Sequence, residues 1–236
     1  MTIAEKLLAA LAALMIVSPA YGALAAPSKA AAQDWTHVVN VTPTGAYVLG
    51  NPAARLKLIE YVSLTCPHCG HFALEGLPQL KARYIQPGLV SLEIRHAMRD
   101  PADLTASLLA RCAGPHGFFP AVDAIFDRQE TWLTKAAAYQ EANAQALSAM
   151  PRRAAVQALA EHSGLIALLA PRGITPARAK ACLADTKTEK LLADMTNEAF
   201  GTRKIEGTPS FVLNGALLAD TFGWEALEPK LQAALK

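Results

Sequence analysis

A Cys-x-x-Cys pair, Cys66-Pro67-His68-Cys69, stands between two different hydrophobic patterns, and that position limits the fold more than any other feature. Before it, Leu56-Lys57-Leu58-Ile59-Glu60-Tyr61-Val62 is a short apolar run that suits a strand buried on both faces. After it, Phe72, Leu74, Leu77, Leu80 and Tyr84 recur at roughly helical intervals until Pro87-Gly88 closes the segment. Pro78 inside that helix predicts a kink. Val90-Ser91-Leu92-Glu93-Ile94-Arg95-His96 then alternates with period two, as a strand with one polar face does. The order is strand, helix, strand, with the cysteine pair at the first junction.

The pattern then changes. Apolar stripes around Leu104 to Ala113, Phe118 to Phe126, Ala154 to Leu159 and Ala177 to Leu183 are helical in character, and strand-type runs are missing. Thr175-Pro176 reads as an N-cap followed by proline at the first helical position; Gly164 and Gly173 read as stops. Lys135 to Met150 is so rich in Ala and Gln that its core face is indistinct. Sheet character returns at Ser210-Phe211-Val212-Leu213, where Asn214-Gly215 before Ala216-Leu217-Leu218-Ala219 is a strong hairpin signal. Trp224 to Leu235 closes the chain as an amphipathic helix. The reading is one α/β sheet domain interrupted by a helical insertion: an arm over 27–47 with one edge strand, a sheet domain over 48–100 and 203–236, and helices over 101–202.

The chemistry follows from the junction. A cysteine at a helix N-terminus faces unpaired amides and the positive end of the helix dipole, both of which favour the thiolate. Pro67 supplies a helix-ready φ, and His68, when charged, adds a positive group, so Cys66 is expected to have a depressed pKa. Stabilising that thiolate makes the disulfide a stronger oxidant. Cys66 would exchange with an outside sulfur and Cys69 would resolve the mixed disulfide from within. A structural zinc site is the alternative, but it would want two further ligands, and beyond the nearby His71 there is no second Cys-x-x-Cys or His pair, so no metal and no cofactor are expected.

The N-terminus predicts the compartment. Residues 1–26 hold Lys6, an apolar run Leu7 to Val17 and an Ala23-Leu24-Ala25 triplet, the form of a cleaved secretory signal; an uncleaved anchor is the alternative. Export to an oxidising compartment would let the four cysteines pair, one disulfide local and one long-range. With 22 basic and 20 acidic residues in 236, the net charge of +2 gives no argument for nucleic acid or a membrane surface.

Two stretches together resemble the DsbA family of periplasmic thiol-disulfide oxidoreductases. They are Glu60 to Cys69, and Gly207-Thr208-Pro209-Ser210-Phe211-Val212 with Asn214-Gly215. The likeness covers roughly residues 45–235 and implies a thioredoxin fold with an inserted α-helical domain. It implies that Cys66 is the exposed nucleophile, Cys69 the buried resolving thiol and His68 the stabiliser of the thiolate. Pro209 would be a cis-proline facing the pair, with Thr208 offering its backbone to an extended substrate chain. Glu60 would be a buried acid that helps move the Cys69 proton; a strand-edge Glu reaching solvent is the alternative. Cys112 and Cys182 match positions where some members carry a second, structural disulfide; two buried free thiols are the alternative. His37, His96, His116 and His162 have no expected catalytic part.

The resemblance implies donation of the Cys66-Cys69 disulfide to reduced secreted polypeptides by a monomer, with a membrane oxidase restoring it. Isomerase and reductase are rivals of the same fold. An isomerase usually needs an N-terminal oligomerisation element, and the short span between signal and core predicts none. From another class, Cys66, Cys69 and His71 could hold a soft metal in a non-catalytic binding protein.

Overall fold

The computed structural model describes residues 33–236. The expected signal over 1–26 and the start of the expected arm lie outside the described residues. Among the described residues, six strands form one sheet in the order β1-β2-β4-β3-β5-β6. A hairpin of β1 (Val39–Val41) and β2 (Tyr47–Gly50) makes one edge. The centre is β4 (Val90–His96) beside β3 (Leu56–Val62), and β5 (Ser210–Leu213) with β6 (Ala216–Leu217) makes the other edge. Of these neighbours, β3 and β4 run parallel and the rest antiparallel. A parallel pair needs a crossover, and the helical run after Cys66 provides it.

That run begins at Pro67, the first helical position that the Cys66-Pro67 junction predicts. It consists of α1 (Pro67–His71), a π turn over Phe72–Gly76, α2 (Leu77–Leu80) and a second π turn over Lys81–Ile85. Pro78 has no N–H to give, and the widened turns lie on either side of it. The arm carries its one expected edge strand, β1, together with the first residue of β2. Two expectations need correction. β3 is not buried on both faces throughout: Lys57 is exposed and Ile59 half-buried. The last hairpin strand ends at Leu217, two residues short of the apolar run. Its turn has φ of 48° at Asn214 and 90° at Gly215, the left-handed conformation that a two-residue hairpin turn requires.

The two sheet faces differ. Leu56, Leu58, Glu60 and Val62 share a face with their register partners Val90, Leu92, Ile94, Phe211 and Leu213. Phe72, Leu80, Ile85, Leu227 and Leu231 belong to the same buried cluster, the last two from α11 (Trp224–Leu235). The opposite face carries a small cluster of Tyr61, Ala97, Ala199, Ile205 and Val212.

The insertion comprises α3 (Pro101–Cys112), α4 (Gly114–Asp127), α5 (Gln129–Ala142) and α6 (Ala144–Ala149). It continues through α7 (Arg152–His162), α8 (Leu165–Leu169), α9 (Pro176–Leu183) and α10 (Thr186–Asn197). Apart from Pro101, every residue of α3 is buried, making it the axis of the block. The rings of Phe118 in α4 and Tyr47 in β2 lie 4.6 Å apart, so insertion and sheet share one core. Cys112, at the end of α3, is bonded to Cys182 in α9 with S–S 2.01 Å. In α5 only Trp132 and Ala136 are buried, and α6 buries nothing, which accounts for the indistinct pattern of Lys135 to Met150.

Candidate active site

The chain leaves β3 through Ser63-Leu64-Thr65 and reaches Cys66, which caps α1 in extended conformation with Pro67 at the first helical position. Cys69, one turn inside, is 0% exposed as expected, but Cys66 is not the exposed thiol the resemblance implies: it is 2% exposed, because the Thr208 turn lies over its sulfur. Both are free thiols here, so this is the dithiol form of the pair. From the other end of the sequence, the Thr208-Pro209 peptide is cis and leads into β5. The Thr208 carbonyl oxygen lies 3.1 Å from Cys66 Sγ, a hydrogen bond when that sulfur is protonated. Cys66, Met98, Arg99, Phe200 and Thr208 line a cleft of about 550 Å³, with the exposed His68 ring at its rim.

The two sulfurs are driven in opposite directions. A hydrogen bond from the Cys69 thiol, joined by the backbone N–H groups of Cys69 and His68, lowers the Cys66 pKa to about 4 against the opposing effect of burial. Burial pushes the Cys69 thiol far above the usual range, and the hydrogen bond it gives Cys66 and the nearby Glu60 charge push the same way. The dithiol therefore holds one proton, on the inner sulfur, at neutral pH.

Glu60 is 3% exposed on the apolar sheet face, opposite Ile94 on one side and Phe211 on the other. Its side chain makes no hydrogen bond among the described residues. Burial raises its pKa to about 8, while Lys81 pulls it down and Asp123 pushes it up. Lys81 and Asp123 are themselves paired at 2.8 Å. The Glu60 charge is close enough to the buried Cys69 thiol to raise its pKa.

Two residues of the insertion that the sequence did not single out hold the loop before Cys66. Asp103 is fully buried, and its carboxylate accepts from Ser63 Oγ at 2.6 Å, the Leu64 N–H at 3.0 Å and the Arg99 N–H at 3.1 Å. Burial raises its pKa to about 6. Gln129 Nε2 donates to the carbonyls of Leu64 and Cys66 at 2.9 and 3.0 Å. The only local signal for Asp103 was Asp100-Pro101-Ala102-Asp103, a helix start in which Asp100 caps Asp103 N–H at 2.9 Å. Gln129 carries no local signal, because its partners are more than sixty residues away in sequence.

The histidines separate. His71, the third ligand of the metal alternative, pairs with Glu75 at 3.4 Å on the exposed side of the helix. His96 is fully buried, its Nδ1 3.0 Å from Ser107 Oγ, and burial followed by the Arg111 charge lowers its pKa to about 3. His37, His116 and His162 take no part in the cleft.

A family model described as Thioredoxin matches residues 42–233. A solved structure described as a protein-disulfide isomerase from Novosphingobium aromaticivorans is 38% identical, with a TM-score of 0.75 over 80% of this chain and 96% of that one. Wolbachia pipientis alpha-DsbA1 shares the fold at TM-score 0.66 and 21% identity, over 82% of this chain and 92% of its own. A curated relative from Rickettsia bellii, whose protein-disulfide oxidoreductase name is itself provisional, is 32% identical over 71% of this chain and 56% of its own length. The chain thus spans about half the length of the curated relatives it matches.

Proposed function

Because the chain belongs to the thioredoxin family and has the fold of its DsbA-type members, we propose that it is an exported thiol:disulfide oxidoreductase that oxidises cysteines of other polypeptides. One observation carries this reading: the outer sulfur is favoured as a thiolate and the inner one as a thiol.

In the oxidised form, a substrate thiolate attacks Cys66 Sγ, the Cys66-Cys69 bond breaks, and the Cys69 sulfur leaves and takes a proton. In this reading Glu60 supplies it, a role supported by its raised pKa and its charge effect on Cys69. The substrate's second thiolate then attacks its own sulfur in the mixed disulfide and expels Cys66 as a stabilised thiolate. A disulfide has formed in the substrate, and its two electrons now sit in the Cys66/Cys69 dithiol. The position of the Thr208 backbone beside Cys66 supports the docking step, since an extended chain can pair with it there. An outside oxidant, in this reading a membrane oxidase of the periplasmic side, accepts the electrons and restores the disulfide.

Equilibration of the mature protein with glutathione redox buffers tests the oxidase role. A potential at or above the glutathione poise is expected, because the thiolate stabilises the reduced state. A value in the strongly reducing range of thioredoxin would make the protein a reductase. Isomerase is the second reading, favoured by the 38% identity to the Novosphingobium protein, which is described as an isomerase. Recovery of activity from scrambled ribonuclease, faster than from reduced ribonuclease, would decide for it.

A further inference from the structure

Met98 and Arg99 line the active-site cleft. A second groove of about 540 Å³ begins at the same two residues and runs between the start of α3, the α6–α7 corner and α10. Leu104 and Val156, 4% and 3% exposed, lie at its base, and Leu147 and Met150 stand at its wall. The ridge between the two clefts is held in place: the Met98 N–H donates to Thr196 Oγ1 at 3.1 Å and the Arg99 N–H to Asp103. A site fixed before binding loses little ordering entropy when a chain settles into it.

The wall itself is unusual. α6 has six residues and buries none, so core packing does not account for it. It leads Leu147, half-buried, and Met150, 38% exposed, onto the groove. Methionine at a surface of this kind adapts to apolar side chains of different shape.

We propose that this groove is a second substrate subsite, taking an apolar side chain of the polypeptide whose cysteine engages Cys66, a few residues along that chain. The inference rests on the oxidoreductase reading, and the occupant follows from the two residues, Met98 and Arg99, that line both groove and active-site cleft. A reduced, unfolded polypeptide exposes apolar side chains that the same polypeptide buries once folded. The subsite therefore ties binding to the folding state of the substrate: the unfolded chain is held at both cleft and groove, and the folded product at neither.

Synthetic peptides test this. Each carries a cysteine pair in a Gly/Ser background and one Leu, moved outward about two to six residues on either side of the reacting cysteine, at ~3.3 Å per residue. For oxidation by the disulfide form, Leu in at least one register should raise kcat/KM about tenfold over Ser, chiefly through KM. The Leu/Ser ratio should fall towards one in Leu147→Asp and Met150→Asp and be kept in Met150→Leu. Thermal melts confirm that the variants fold, which the exposure of α6 leads one to expect. Equal rates for Leu and Ser at every position, or a preference that survives both Asp substitutions, overturn the subsite and leave the oxidoreductase reading standing. Failure to oxidise any peptide overturns both.

Discussion

Gln129, at the start of α5, donates its side-chain amide to the carbonyl oxygen of Cys66 at 3.0 Å, so the inserted domain holds the backbone of the redox cysteine itself. The same amide reaches the Leu64 carbonyl, while Asp103 takes the Leu64 N–H from the other side. The Cys66 thiolate depends on lying at the N-terminus of α1, and these two side chains fix the loop that puts it there.

Replacing Gln129 by Ala leaves two part-buried carbonyls without that donor and should cost about 1–3 kcal/mol. It should also raise the Cys66 pKa, read from thiolate absorbance against pH. Gly70→Ala provides a second route, since a Cβ there would come 2.5 Å from Gln129 Oε1. The side-chain tip can move away, but only by giving up its carbonyls, so the pKa should shift in the same direction. A Cys66 pKa unmoved in both variants would refute the clamp.

Glu60 should impose a pH dependence on the stability of the reduced protein. Burial raises its pKa from 4.5 in the unfolded chain to about 8 in the folded one. Folding thus favours the neutral acid: the contribution is complete below about pH 4.5 and is lost as pH rises towards 8. The difference is on the order of 4 kcal/mol. Gln at this position does not titrate, so wild type should lose stability relative to Glu60→Gln by that order between about pH 5 and 8.5. Urea unfolding of both proteins reads it, and parallel profiles would exclude a buried, titrating Glu60.

The opposed sulfurs predict the proton count of reduction. With Cys66 a thiolate above about pH 4 and Cys69 a thiol throughout, two electrons arrive with one proton. The potential should therefore fall by about 30 mV per pH unit between about pH 5 and 7. A slope of about 59 mV would mean that both sulfurs take up protons and that Cys66 is an ordinary thiol.

The Cys112-Cys182 bond links α3 to α9 across 70 residues. In the loop-entropy model such a closure contributes about 4 kcal/mol, and measured bridges commonly give ~2–4. The double variant Cys112→Ala/Cys182→Ala should lose stability in that range on urea unfolding. A loss under about 1 kcal/mol would mean that the helical packing holds without it.

How much was legible varies with the range of the interaction. Cys66, Pro67 and the hairpin turn at Asn214-Gly215 are set by neighbours in sequence, where helix-start and turn chemistry act over a few residues. The strand starting at Leu56 and the closing helix at Trp224 show in their periodicity. The first strand was less visible, because three residues at an edge, one half-buried and two exposed, have too little apolar alternation to be seen. α6 was invisible for the same reason, having no buried face to mark a period.

By itself the sequence determined the local chemistry: a thiol pair at a helix start, a Thr-Pro turn before a hairpin, and a helical insertion between two parts of a sheet. Only the tertiary structure decided which distant groups meet that chemistry. The sheet register buries Glu60 between Ile94 and Phe211, the turn before β5 sets Thr208 against Cys66, and the insertion delivers Asp103 and Gln129 to the loop. Those contacts join residues far apart in the chain, and hydrogen bonding and desolvation depend on distances in space, which local pattern does not encode.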